Sequence, residues 1–138
     1  MMKPFIVLLI LFFCAGAAYA TEKDILDEIE SSARSWLALT DEGQYTESWR
    51  KASSHLQKKK SESEWIKTVG VIRKPLGSME ARYIATAGYA KGLSGFPEGE
   101  YVVVQFYTTF KARGLVMETI TLAKEKDKTW RVADYAIK

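Results

Sequence analysis

Hydrophobic residues in the first half of the chain recur at three- and four-residue steps, the spacing that places side chains on one face of a helix. From Thr21 to Thr40, this face consists of Ile25, Leu26, Ile29, Ala33, Trp36 and Leu37. The pattern predicts a helix over residues 21–40, a second short helix near 44–53 and a third that begins at Ser61. A polar stretch over residues 53–60 separates the last two and is interpreted as a loop.

After Gly77 the pattern changes to stretches rich in β-branched and aromatic residues, which are typical of strands. Four candidate strands cover residues 79–91, 101–110, 115–124 and 130–137. In the first, alternation places Tyr83, Ala85, Ala87 and Tyr89 on one face. Helices first and strands last predict an α+β fold, with N-terminal helices packed on a curved antiparallel sheet of about four strands.

The strand over residues 101–110 carries apolar side chains on both of its faces. Val102, Val104, Phe106 and Phe110 share one face, while Tyr101, Val103 and Tyr107 share the other. Only one face can pack on the helices, so the second set is an excess of outward apolar surface. It raises the hypothesis of a homodimer formed through the back of the sheet.

The first twenty residues have the layout of a secretory signal peptide. Lys3 precedes an apolar run from Phe5 to Phe13, and small residues lead into Ala18-Tyr19-Ala20. We expect cleavage between Ala20 and Thr21, which leaves a single domain over residues 21–138 in the periplasm or outside the cell. The apolar run is shorter than the roughly twenty residues that span a bilayer, so an integral membrane protein is not expected. A retained membrane anchor is the alternative.

The formal net charge of +3 over 138 residues is too small to predict a nucleic acid or another polyanionic partner. The charge is unevenly spread, since acids dominate residues 21–49 and bases dominate residues 50–74. The run Lys58-Lys59-Lys60 could contact a membrane or a cell-wall polymer, or it could be a solvated surface.

Motifs for nucleotide, metal and triad chemistry are missing from the sequence. His55 is the only histidine, in a stretch that we expect to be exposed, and the only cysteine, Cys14, leaves with the predicted leader. We therefore expect no metal site, no disulfide and no cofactor.

Glu118 is the one candidate catalytic residue. It alternates with Val116, Ile120 and Leu122, so its carboxylate falls on an apolar face, where burial disfavours the charged form. A carboxyl group in such a pocket could act as a general base. The alternative is a structural role, in which Glu118 pairs with a neighbouring Arg or Lys. Asp134 raises the same question, and a β-bulge at residues 133–134 would turn it outward.

Two further residues are candidates for ligand binding. Arg73, near the end of the third helix, could bind an anionic ligand at a pocket mouth or offset the negative end of the helix. Trp65 could line an apolar pocket with the other tryptophans, but aromatic residues at helical spacing more often pack in a core.

Most of the chain after residue 20 resembles an uncharacterised bacterial exported family known as domain of unknown function 4019. The resembling blocks occur in order at residues 73–77, 97–106, 118–122 and 130–135. The resemblance implies a cystatin-like, nuclear-transport-factor-2-like superfold. It implies no activity and supplies no catalytic residues.

These observations favour an exported, non-enzymatic binding or interaction module, with a small apolar ligand as one candidate. The alternative function is a lyase or isomerase with Glu118 as its base. A weaker alternative is a basic-faced module that contacts a membrane or cell-wall polymer.

Overall fold

A computed structural model describes residues 21–138, so the predicted leader over residues 1–20 lies outside the described residues. Four helices and a short 3-10 turn precede four strands, which confirms the predicted α+β class. The helices are α1 (Glu22–Asp41), α2 (Tyr45–Arg50), α3 (Ser54–Lys59) and α4 (Glu62–Arg73), and the 3-10 turn is Lys74–Leu76. The strands are β1 (Met79–Ala90), β2 (Tyr101–Phe110), β3 (Gly114–Lys124) and β4 (Trp130–Ile137).

Helix α1 begins where the sequence pattern places it, because Thr21 and Asp24 form a reciprocal capping box. The Thr21 hydroxyl accepts from the Asp24 amide, and the Asp24 carboxylate accepts from the Thr21 amide. The helix buries Ile29, Ala33, Trp36 and Leu37 against the sheet, whereas Ile25 and Leu26 stay exposed. Its C-terminal residue is Asp41, and Gly43 reverses the chain in the left-handed region (φ +72°).

The region between α1 and α4 differs from the prediction. A single helix near 44–53 and a loop up to residue 60 were expected, but the chain forms two short helices. Ser53 separates them, because its amide donates to the Val132 carbonyl of β4 and its hydroxyl caps α3 by accepting from the Leu56 amide. Leu56 is buried, and His55 packs on Phe96 with ring centroids 5.2 Å apart. The expectation that His55 lies in an exposed loop was therefore wrong.

The strands form one open antiparallel sheet in the order β1-β2-β3-β4. Strand β1 has register shifts at Met79/Ala81 and Ile84/Thr86. The second shift corrects the prediction that Tyr83 and Tyr89 share a face: Tyr83 pairs with the outward Tyr107, while Tyr89 pairs with the buried Val102. A shift in β4 between Val132 and Asp134 confirms the predicted bulge and leaves Asp134 exposed.

The core lies between the helices and the face of the curved sheet that carries Val104, Phe106 and Ile120. Trp36 and Trp65 are buried there, and their ring N–H groups donate to the Ser48 carbonyl and the Ser48 hydroxyl. On the back of the sheet, Tyr107 is exposed but Tyr101 is covered by Phe96. Within residues 21–138, no helix has both the length and the apolar character needed to cross a membrane.

Candidate functional site

Glu118 has no exposed surface and is surrounded by hydrogen-bond donors. Its Oε1 atom accepts from Nε of Arg82 at 2.7 Å and from the Thr108 hydroxyl, and its Oε2 atom accepts from the Tyr135 hydroxyl. The donors lie on the other three strands, so this one carboxylate connects the whole sheet. Both of its oxygens are occupied by the protein's own groups.

Arg82 extends this contact to the helical layer. Its two terminal nitrogens donate to the two carboxylate oxygens of Asp41, at 2.7 and 2.9 Å, in a bidentate pair. Asp41 ends α1, whereas Arg82 lies near the start of β1. A single guanidinium therefore bridges two carboxylates that are far apart in the sequence.

Arg73 completes the arrangement from the end of α4. It donates to Oδ1 of Asp41 at 2.7 Å and to the Thr40 hydroxyl, and its guanidinium lies 4.8 Å from the centroid of the Phe110 ring. We call Asp41, Arg73, Arg82 and Glu118 the buried charge network. Two positive and two negative side chains balance, as buried charges must.

The surroundings favour the charged forms of Asp41 and Arg82 and the protonated form of Tyr135. Burial by itself would raise the pKa of Asp41, but the hydrogen bonds and charges of Arg82 and Arg73 outweigh it and lower that pKa. Burial likewise opposes the charge on Arg82, yet Asp41 and Glu118 raise its pKa above the ordinary value. Burial and the Glu118 charge raise the pKa of Tyr135, which therefore keeps its proton as a donor.

Of the residues singled out from the sequence, the structure brings Glu118 and Arg73 together through Arg82 and Asp41, whereas Asp134 is exposed and outside the network. Trp65 packs separately in the core. Arg82, Asp41 and Tyr135 were missed as members of a site. The alternation of Glu118 among apolar residues was a usable signal that it needs a partner, but nothing local identified Arg82 as that partner.

A separate open groove of about 640 Å³ lies between the first turns of α1 and one end of the sheet. Its floor contains the buried side chains of Ile29 and Val102. Its walls include Ile25 and Leu26, each 42 % exposed, and Tyr89, which is 55 % exposed. The groove is therefore a concave and mostly apolar surface, the usual character of a small-molecule site.

Charged residues also line the groove, with Glu22 and Glu28 on the α1 side and Glu100, Lys124 and Lys128 on the opposite side. The Tyr89 hydroxyl donates to Oε1 of Glu100 at 2.6 Å, and Nζ of Lys124 lies 3.3 Å from Oε2 of the same carboxylate. The hydrogen bond from Tyr89, followed by the contact with Lys124, lowers the pKa of Glu100. Lys124 also lies 5.8 Å from the Trp130 ring centroid. Glu100 and Lys124 thus connect the two aromatic side chains of the groove, Tyr89 and Trp130.

The other candidate chemistries have less support in the geometry. A second cleft of about 680 Å³, between α3 and the β3–β4 turn, is lined mainly by polar and charged residues. Lys58 and Lys59 are exposed, whereas Lys60 is partly buried and its Nζ donates to the Thr68 hydroxyl at 3.3 Å. Within the described part of the chain, no three His, Cys, Asp or Glu side chains group closely enough to hold a metal ion.

Replacing Glu118 with glutamine tests whether the buried charge network stabilises the fold. This substitution keeps the shape of the side chain but removes its negative charge, so Asp41 becomes the only carboxylate left to pair with Arg73 and Arg82. We therefore expect the free energy of unfolding to fall by about 3–5 kcal/mol in urea titrations. The matched control is Glu47→Gln, which removes an exposed pair with Arg50 (3.2 Å) and should cost less than about 1 kcal/mol. Equal losses in the two variants would contradict a structural role for the network.

The lowered pKa of Asp41 predicts acid sensitivity. In the unfolded chain Asp41 takes up a proton near its ordinary pKa of 3.8, whereas in the folded protein it stays charged to lower pH. The stabilisation is therefore fully present above that value and is lost as the pH falls below about 4. Urea titrations from pH 7 to pH 2 should show a smaller acid loss for Asp41→Asn than for the wild type. Asp134→Asn, at an exposed acid outside the network, should keep the wild-type slope.

Comparison with known proteins gives one match. Residues 32–135 match the family described as Protein of unknown function (DUF4019), a stretch that contains the whole buried charge network. Ile25, Leu26 and Ile29 of the groove precede the matched residues. No curated protein matches the chain, and no solved structure matches it. Because the match covers well over half of the chain and confirms the family predicted from the sequence, the protein belongs to the DUF4019 family of unknown function.

Proposed function

We propose that the protein is an exported, non-enzymatic binding module that holds a small apolar ligand in the groove between α1 and the sheet. The observation that carries this proposal is the exposure of Ile25, Leu26 and Tyr89 around one concave surface. Apolar side chains that line a concavity lose unfavourable contact with water when a ligand covers them. The volume of about 640 Å³ lies in the range of small-molecule sites.

The state of Glu118 favours a binding module over the lyase or isomerase alternative. A general base must come within hydrogen-bond reach of a substrate proton. Glu118 is fully buried and accepts from Arg82, Thr108 and Tyr135, and it does not line the apolar groove. A substrate could reach it only after the network had opened, at the cost of unpaired buried charges.

Export is part of the proposal and rests on the sequence of the leader. Thr21, the first residue after the predicted cleavage point, is the N-cap of α1, so removal of residues 1–20 leaves the capping box intact. The module then acts in the periplasm or outside the cell. The cystatin-like, nuclear-transport-factor-2-like architecture also belongs to this proposal, and a helical layer against an open four-stranded sheet supports it.

A charge placed in the groove should abolish most of the binding. We expect N-phenyl-1-naphthylamine, an uncharged fluorescent probe, to bind the wild type and to bind Leu26→Glu at least about tenfold more weakly, since burying a leucine side chain contributes about 1.5–3 kcal/mol. Fluorescence titration measures both dissociation constants. Leu115→Glu is the matched control, because Leu115 is 69 % exposed and lies on the back of the sheet. Equal weakening in both variants, or no binding to the wild type, would refute the groove as the site.

The predicted leader gives an independent test of export. When the full chain is expressed in a bacterium, intact-mass measurement of the exported protein should show Thr21 as its first residue. Ala20→Leu should block removal of the leader, because the peptidase requires a small residue there. Tyr19→Leu, at the neighbouring position that tolerates large residues, should be processed normally. Exported protein that retains residues 1–20 would support the membrane-anchor alternative.

A further inference from the structure

Strand β1 is the most exposed strand of the sheet, and it forms one edge. Apart from the Arg82 side chain, which belongs to the buried charge network, its residues are exposed or only partly buried. Tyr83 is 70 % exposed on the back of the sheet, while Ile84 and Tyr89 are exposed on the face that the helices cover elsewhere. The C-terminal half of this strand therefore exposes both of its faces to solvent, together with the backbone groups that do not pair with β2.

The run from Thr86 to Ala90 lacks the features that usually prevent strands from associating, since the register shifts of β1 lie before it. From Tyr83 to Ala90 there is no charged residue and no proline. The nearest charges are Arg82, whose guanidinium is occupied in the buried charge network, and Lys91, which directly follows Ala90. The two register shifts lie before Thr86, so Thr86–Ala90 is a regularly paired run with an open outer edge. Such an edge is a ready template for another strand.

Gly88 lies at the centre of this run, and apart from its pairing with β2 no other part of residues 21–138 approaches it closely. A glycine inside a strand weakens it and often marks a bulge or a place where another backbone approaches closely. Gly88 is not in the left-handed region, it is not at a register shift, and a Cβ atom added to it would meet no atom within 4 Å. Gly88 therefore leaves room at this edge for the backbone of another strand.

We propose that β1 is the interface between two copies of this protein, which pair antiparallel along Thr86–Ala90 with the two-fold axis at Gly88. The two sheets then join into one continuous sheet. This inference does not depend on the apolar ligand, although Tyr89 lines the groove, so the dimer would bring the two grooves close to the axis.

The side chains favour a second copy as the occupant of the edge. Antiparallel pairing of a strand with itself obeys two-fold symmetry, so each contact occurs twice. With Gly88 on the axis, Tyr89 of each copy lies opposite Ala87 of the other, on the helix side of the sheet. A large ring then covers a methyl group, and Gly88 faces Gly88 without side chains that keep the backbones apart. No like charges meet within the run.

The edge is a better candidate than the back of the sheet, where the sequence pattern suggested a dimer. Tyr101, one of the outward aromatics in that prediction, is buried under Phe96. Tyr107 and Leu115 remain exposed there. A back-face contact would bury these side chains but would leave the free backbone groups of β1 exposed.

Light scattering after size exclusion, across concentrations up to the high micromolar range, tests the proposal on the purified chain. We expect the wild type to form dimers as its concentration rises. Gly88→Glu places two carboxylates opposite each other at the axis and should raise the dimer dissociation constant about fivefold or more. Gly92→Glu is the matched control, since its Cβ also meets nothing, it is not left-handed and it lies beyond β1. Its dissociation constant should equal that of the wild type.

Disulfide trapping tests the register. In a Cys14→Ser background, Gly88→Cys introduces the sole cysteine at the proposed axis and should form a covalent dimer under mild oxidation. Gly92→Cys should cross-link much less. A wild type that stays monomeric throughout would overturn the proposal. A dimer whose dissociation constant is unchanged by Gly88→Glu, and which is lost in Leu115→Glu, would also overturn it and would favour the back face. A monomer whose edge instead binds an extended peptide would also overturn it.

Discussion

The fold depends on one buried guanidinium. Arg82 connects Asp41 at the end of α1 with Glu118 in the middle of the sheet, and Arg73 supplies the second positive charge. None of these charges could remain buried alone, because an ion removed from water costs far more than one hydrogen bond returns. The end of α1, the end of α4 and the strands β1 and β3 must therefore be in place together. Thr108 of β2 and Tyr135 of β4 connect the other two strands through their hydrogen bonds to Glu118.

This constraint divides β1 into two halves of different character. The first half is held by Arg82, whose backbone carbonyl also accepts from Arg34 of α1 at 3.3 Å. The second half, beyond the shift at Ile84/Thr86, pairs with β2 and is left uncovered by the helices. Both the open groove beside Tyr89 and the uncharged edge around Gly88 belong to this second half. The half of β1 that is held by Arg82 and the half that is exposed to solvent therefore meet at the register shift between Ile84 and Thr86.

Sequence periodicity predicted the helical layer, the four strands and the bulge in β4, because each depends on neighbouring residues. The capping box at Thr21 and the apolar face of α1 are examples. The errors came from contacts between distant residues. Helix α3 replaces a predicted loop because Ser53 bonds to Val132 of β4, and the partner of Glu118 could not be identified because Arg82 lies 36 residues away. The split of Tyr83 and Tyr89 between two faces depends on how β1 pairs with β2, which no local pattern specifies.

The buried charge network and the groove differ in how many substitutions their residues can tolerate. A substitution at Glu118 or Arg82 leaves a buried charge without its partner, so these positions tolerate few alternatives. Ile25, Leu26 and Tyr89 are exposed, so replacing them removes little contact that the folded state needs. The family match contains the whole network and the sheet side of the groove, whereas Ile25 and Leu26 precede it. A scaffold held together by one region can therefore accept changes in the exposed side chains of another without losing its fold.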